Sequence, residues 1–196
     1  MSKTIILKLG GSIITEKHLG QQKLHKQNVL RIAKEISSFL KKNPHHKLII
    51  LHGSGSFGHP LAYQYKLVDQ PITASQMIGL GKTIDATRKL TTLLTDIFLN
   101  AGLPIIPLQT SALCKKQKGR LVFGDIATIK TIVKHSGIPL LGGDVVLKNN
   151  HTTSIVSADT LAVVLSQHIP KTKIVFATDT DGVYKKFPPP PKAVPY

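Results

Sequence analysis

His52-Gly53-Ser54-Gly55-Ser56-Phe57-Gly58-His59-Pro60 follows directly on the apolar run Leu48-Ile49-Ile50-Leu51. Four apolar residues without alternation read as a strand buried on both faces, as in a parallel sheet. A glycine-rich turn at the carboxyl end of such a strand offers backbone N–H groups to an anion with no side chain in the way. The N-terminus repeats the pattern, with Thr4-Ile5-Ile6-Leu7-Lys8-Leu9 running into Gly10-Gly11-Ser12. Two such turns in one small chain predict two phosphate-bearing ligands held face to face.

The rest of the chain alternates strands and helices. Leu24 to Lys42 carries apolar residues at helical spacing and stops at Asn43-Pro44. Lys47–Leu51 is the second strand. Thr73 to Asn100 reads as one long or broken helix capped by Thr73, and Leu103–Pro107 as a strand. Cys114 to Phe123 reads as a hairpin with a polar tip, and Asp125 caps a helix running to His135. Ile138–Leu141 ends in Gly142-Gly143-Asp144. A second hairpin joins Val145–Leu147 to Ile155-Val156 through Lys148–His151. Ser157–His168 is helical, and Lys173–Ala177 leads into Thr178-Asp179-Thr180-Asp181-Gly182. This pattern predicts a three-layer α/β/α sandwich around a mainly parallel sheet, with ligands beyond the carboxyl ends of the strands. No internal repeat of fixed period is present.

Composition narrows the function classes. At 196 residues and 41% hydrophobic content, the chain suffices for one domain with a sizeable core. No apolar run approaches the roughly 18 residues of a membrane span. Met1 leads straight into a strand rather than a secretion signal, and Cys114 is the lone cysteine, so the expected compartment is the cytoplasm. Net charge is +16, but all but three of the 26 basic residues are Lys, and they are scattered. With only 5% aromatics, this fits a solvated surface that attracts small anions better than a dedicated nucleic-acid interface. Of the ten acids, Asp144, Asp159, Asp179 and Asp181 fall beside predicted strand ends, as partners for a metal or a lysine.

Lys8 lies in a strand otherwise built for burial, where an ammonium is costly without an anionic partner. It either emerges into solvent at the strand end or meets a phosphate. His59 alone reads as a surface histidine; directly after a phosphate-type loop, it is placed to donate a hydrogen bond to a phosphate.

Five blocks in order carry a resemblance: Lys8–Lys17, His52–Pro60, Leu141–Asp144, Ile155–Asp159 and Ala177–Tyr184. Together they resemble the amino acid kinase superfamily, and Lys17 with His59 is similar to the isopentenyl phosphate kinases within it. The resemblance implies ATP-dependent phosphorylation of isopentenyl phosphate, with Mg²⁺. Its alternatives are a related small-molecule kinase, of the fosfomycin type or another amino acid kinase, or an inactive truncated remnant that only binds a phosphate ligand.

By the same resemblance, Lys8, Lys17, His59 and Asp159 are the catalytic group, with Asp159 holding Lys8 in place. Lys8, Leu9, Gly10, Gly11, Ser12, Gly55, Asp179, Asp181, Gly182 and Tyr184 bind ATP. Ser54, Gly55, His59 and Ala158 contact the acceptor, and no residue is assigned as a metal ligand. Leu61–Tyr65 and Ile72–Leu80, with Met77, Ile78 and Leu80 at roughly helical spacing, either wall an isoprenoid tail or face the ordinary core. The superfamily favours a homodimer, with a small phosphate substrate and neither nucleic acid nor membrane as partner.

Two departures stand out. Ser54 replaces a glycine common in the loop, which is tolerated only if its backbone is not left-handed. The Asp181-Gly182-Val183 block runs into the proline tract of residues 185–196, where family members continue with further strands and helices. The expectation is an incomplete kinase-like domain over 1–184 followed by an extended tail.

Overall fold

The computed structural model describes residues 3–16, 21–68, 71–148 and 152–182. Five strands form the central sheet: β1 (Thr4–Leu9), β2 (Lys47–His52), β3 (Ile105–Leu108), β6 (Ile138–Gly142) and β9 (Thr172–Ala177). Their order is β3-β6-β2-β1-β9, and every neighbouring pair is parallel. Two hairpins, β4–β5 (Cys114–Gln117, Arg120–Phe123) and β7–β8 (Asp144–Leu147, Thr153–Val156), stand apart from it.

Alternation along β2 sorts the two faces. Leu48 and Ile50 join a core with α2 (Lys26–Lys42) and α4 (Ala74–Asn100); Ile49 and Leu51 join another with α6 (Ile126–Lys134) and α7 (Ala158–His168). The predicted three-layer sandwich is therefore the observed one. Three helices begin at side-chain caps, with Thr73, Asp125 and Ser157 accepting from the N–H three residues on. Among the described residues no helix is long and apolar enough to cross a membrane.

Short helices are the main departure from expectation. α1 (Gly11–Ile14), α3 (Gly55–Gln64) and α5 (Thr110–Leu113) each start where a strand ends or just beyond. The loop expected over residues 53–60 is thus a two-residue turn, Gly53-Ser54, and then a helix that contains Pro60. Ser54 caps it with φ −77° and ψ −17°, so the side chain there costs no left-handed strain. Of the residues considered for an isoprenoid-tail wall, Met77 and Ile78 are 49% and 56% exposed, so they do not face the core, while Leu80 turns inward against Ala62, Leu67 and Val145.

Candidate active site

Lys8 falls on the same face of β1 as Ile6, the face that α7 covers. One residue pair further along the strand, its ammonium clears the core and meets Asp159 in the first turn of α7, with Nζ 3.0 Å from Oδ1. Lys8 is only 15% exposed while Asp159 is 56% exposed, so the carboxylate meets water and the ammonium is held at the cavity wall.

The cavity beside this pair, about 150 Å³, is lined by Lys8, Gly11, Gly53, Ser54, Gly58, His59, Ala158 and Asp159. Lys8 and His59 therefore share one space. Among the described residues none accepts from the N–H of Ser54 or Gly55 at the start of α3, or of Ala158 or Asp159 at the start of α7. Unpaired amides at a helix start, with the positive end of the dipole, attract anions. Two such starts border this cavity.

The glycines themselves serve a different purpose from the one expected. Gly10 N–H donates to Ala177 O, Gly53 N–H to Leu9 O and Gly143 N–H to His52 O, at 2.8–2.9 Å. Each of these glycines, the first residue past its strand, continues the sheet ladder by one step, so its amide is spent. Gly10 is corrected accordingly as an amide donor to phosphate. Leu9 is 1% exposed and its side chain belongs to the core. Gly55, with φ +47°, packs against Thr15 and does not line the cavity.

Thr15 links the two turns, its Oγ1 donating to Gly11 O at 2.7 Å and accepting from Ser56 N at 3.2 Å. Ser12 Oγ donates to Asp179 Oδ1 at 2.7 Å, which brings the first turn and the loop after β9 together, with Asp181 and Gly182 beyond. Lys17 and Tyr184, like the 185–196 tail, lie outside the described residues.

Sequence reasoning missed the far wall. Thr83 and Thr87 of α4, with Asp144, Val145, Ile155 and Val156 of the β7–β8 hairpin, also line the cavity. The signal was the repeat Thr83, Thr87, Thr91, Thr95, one face of a helix at four-residue spacing. The hydroxyls of Thr83, Thr87 and Thr95 donate to the carbonyl four residues back, and Thr91 Oγ1 lies 3.0 Å from Thr87 O and 2.9 Å from His52 Nε2, so each has a partner within the protein. Asp144, also buried, is satisfied by the N–H groups of Ser111 and Val145; burial still raises its pKa.

Behind the wall His52 is fully buried, and desolvation lowers its pKa to about 4, the hydrogen bond with Gly53 opposing. A base depressed in the folded state takes up its proton more readily when unfolded. Stability is therefore lost as pH falls from 6.5 toward about 4, by about 3 kcal/mol across that window. Asp144 shifts the other way and partly masks this slope, so the comparison is with His52→Asn. Urea unfolding at several pH values is expected to show the smaller acid slope in that variant; equal slopes would show that His52 does not titrate as described.

A family model for the "Amino acid kinase family" matches residues 3–196. The chain belongs to the amino acid kinase family. Among its relatives, isopentenyl phosphate kinase of Methanothermobacter thermautotrophicus is 33% identical, covering 94% of this chain and 70% of the relative. A solved isopentenyl phosphate kinase structure superposes with a TM-score of 0.85 at 33% identity, over 94% of this chain and 77% of that one. The product complex of the Thermoplasma acidophilum enzyme follows at TM-score 0.81 and 28% identity, over 95% and 74%.

Proposed function

We propose that this family member transfers the terminal phosphoryl group of ATP to isopentenyl phosphate, giving isopentenyl diphosphate. The observation that carries this reading is the shared cavity, where the Lys8–Asp159 pair and His59 meet the starts of α3 and α7 opposite a wall built by α4 and the β7–β8 hairpin. Its similarity to isopentenyl phosphate kinases supports the same acceptor.

The chemistry asks little of a base. A phosphate monoester is already an anion at neutral pH, so its oxygen attacks the terminal phosphorus of ATP and the bond to the ADP oxygen breaks. Catalysis is then alignment and charge neutralisation. Ser54 and Ala158 would hold the acceptor phosphate by backbone N–H and His59 by its ring. Lys8 would meet the charge that develops on the transferring group. Gly11, Ser12 and the Asp179–Gly182 loop would hold ATP, with Tyr184 assigned beside them by resemblance and Lys17 assigned by resemblance to assist at the transition state. Among the described residues no group of three or more His, Cys, Asp or Glu forms a metal site, and Asp159 is engaged by Lys8. Mg²⁺ enters this reading as the escort of the ATP phosphates. A homodimer fits the exposed apolar residues Leu93 and Leu99 of α4 and Ile106 of the edge strand β3; light scattering checks it.

Coupled ADP release measured with isopentenyl phosphate, dimethylallyl phosphate and fosfomycin tests the acceptor. Turnover confined to fosfomycin, or none with any of the three, overturns the proposal. His59→Ala is expected to raise KM for the monophosphate about tenfold, the worth of one hydrogen bond to a charged group, with the fold intact. Unchanged kinetics would remove His59 from the site.

A further inference from the structure

His52 sits where three elements meet: the end of β2, the inner face of α4 and the turn after β6. Its Nδ1 is 3.1 Å from Gly53 O and its Nε2 is 2.9 Å from Thr91 Oγ1. A Cβ on Gly142 would lie 2.6 Å from the ring's Cε1, so the ring occupies the space that glycine leaves. Gly53 O can only accept. A neutral imidazole has one N–H, so the proton belongs on Nδ1, and Nε2 takes the single hydrogen of the Thr91 hydroxyl, which then is not donated to Thr87 O. That hydroxyl also lies 3.0 Å from Thr87 O, the carbonyl of a cavity-wall residue.

The carbonyl of Gly53 and the N–H of Ser54 belong to one planar trans peptide and point in opposite directions. Holding the carbonyl back toward the buried ring turns the Ser54 N–H outward. Gly53 and Ser54 both line the cavity, and the Ser54 N–H has no acceptor among the described residues. We propose that His52 is a positioning residue whose Nδ1–H fixes the Gly53 carbonyl and thereby aims the Ser54 N–H at the acceptor phosphate. This rests on the reading of the cavity as the phosphate site.

Three measurements decide it. Ring ¹⁵N spectra of labelled protein without ligand are expected to show the proton on Nδ1; a proton on Nε2 overturns the proposal. His52→Leu is expected to raise KM for isopentenyl phosphate about tenfold while KM for ATP stays within about twofold, since one charge-assisted hydrogen bond is misdirected. His52→Asn, whose amide reaches the position of Nδ1, is expected to restore most of the acceptor affinity. A folded Leu variant with unchanged acceptor KM overturns the idea, and so does an Asn variant no better than Leu. Circular dichroism establishes that each variant is folded. If His52→Leu does not fold, His52→Asn and the ring spectra decide. Absence of wild-type turnover would count against the acceptor reading. In that event the Ser54 amide resonance is followed on addition of inorganic phosphate: a shift in wild type that His52→Leu loses supports His52's part, and no shift in wild type overturns it.

Discussion

Lys8→Met is expected to lower kcat by about 10²–10³, the range seen when one preorganised group facing developing charge is removed. The substitution keeps the aliphatic stem and about the same volume, so the strand still packs while the charge goes. KM for either substrate is expected to change much less, because the ammonium matters most when charge moves between the two phosphates. Stability separates this role from a structural one. Removing one partner of a fully buried ion pair costs about 3–5 kcal/mol. Asp159 is 56% exposed, however, so losing Lys8 returns it to water, and the cost is expected below about 1 kcal/mol. A large kinetic loss with a nearly unchanged urea midpoint is therefore the signature. Asp159→Asn alone is expected to cost less in kcat, since Lys8 keeps its charge and loses only its tether. The double variant is expected to be no slower than Lys8→Met, because Asp159 acts through Lys8. Full activity in Lys8→Met, or additive losses in the double variant, would refute these roles.

The sheet and the Lys8 position were readable because they depend on local chemistry. Unbroken apolar runs ending in glycine mark buried parallel strands, and a lysine two residues before Gly10-Gly11 has few places to go. The short helices were not readable for an equally physical reason. Gly55, Gly58 and Pro60 are poor helix residues by intrinsic preference, and the start of α3 is set by tertiary contact with Thr15 rather than by propensity. Periodicity tells which residues share a helix face, but only packing tells that Leu80 turns inward while Met77 and Ile78 stay exposed. The strand order, with β9 beside β1, rests on pairings across more than 160 residues of sequence that no local pattern reveals. Similarly, the amide of Gly10 looked free until the neighbouring strand's carbonyl was found on it.

The second large effect concerns how the two turns fit together. A Cβ on Gly11 would lie 2.7 Å from Gly55 Cα, and one on Gly53 would lie 2.8 Å from Gly11 N, so the turns after β1 and β2 interlock backbone against backbone. Gly55 carries the heaviest constraint. Its φ is +47°, and a Cβ there would lie 2.2 Å from Thr15 Oγ1 and 2.8 Å from its Cγ2. Thr15 cannot step aside freely, since the same Oγ1 holds Gly11 O and Ser56 N. Gly55→Ala thus combines a left-handed backbone cost of about 1–2 kcal/mol with overpacking of about 1–3 kcal/mol. A combined loss of about 2–5 kcal/mol is expected, lowering Tm by roughly 5–15 °C in a chain of this size. Two other glycines separate the causes. Gly102 has φ +77° with nothing within 4 Å of a built Cβ, so its alanine variant should show the backbone cost alone. Gly81 lies inside α4 with the same open space and no positive φ; alanine there should stabilise by about 0.5–1 kcal/mol. Thermal unfolding of the three variants is expected to rank Gly81→Ala above wild type, Gly102→Ala below it and Gly55→Ala lowest. If Gly55→Ala instead unfolds with Gly102→Ala, Thr15 yields at no cost and the two turns are not locked together as described.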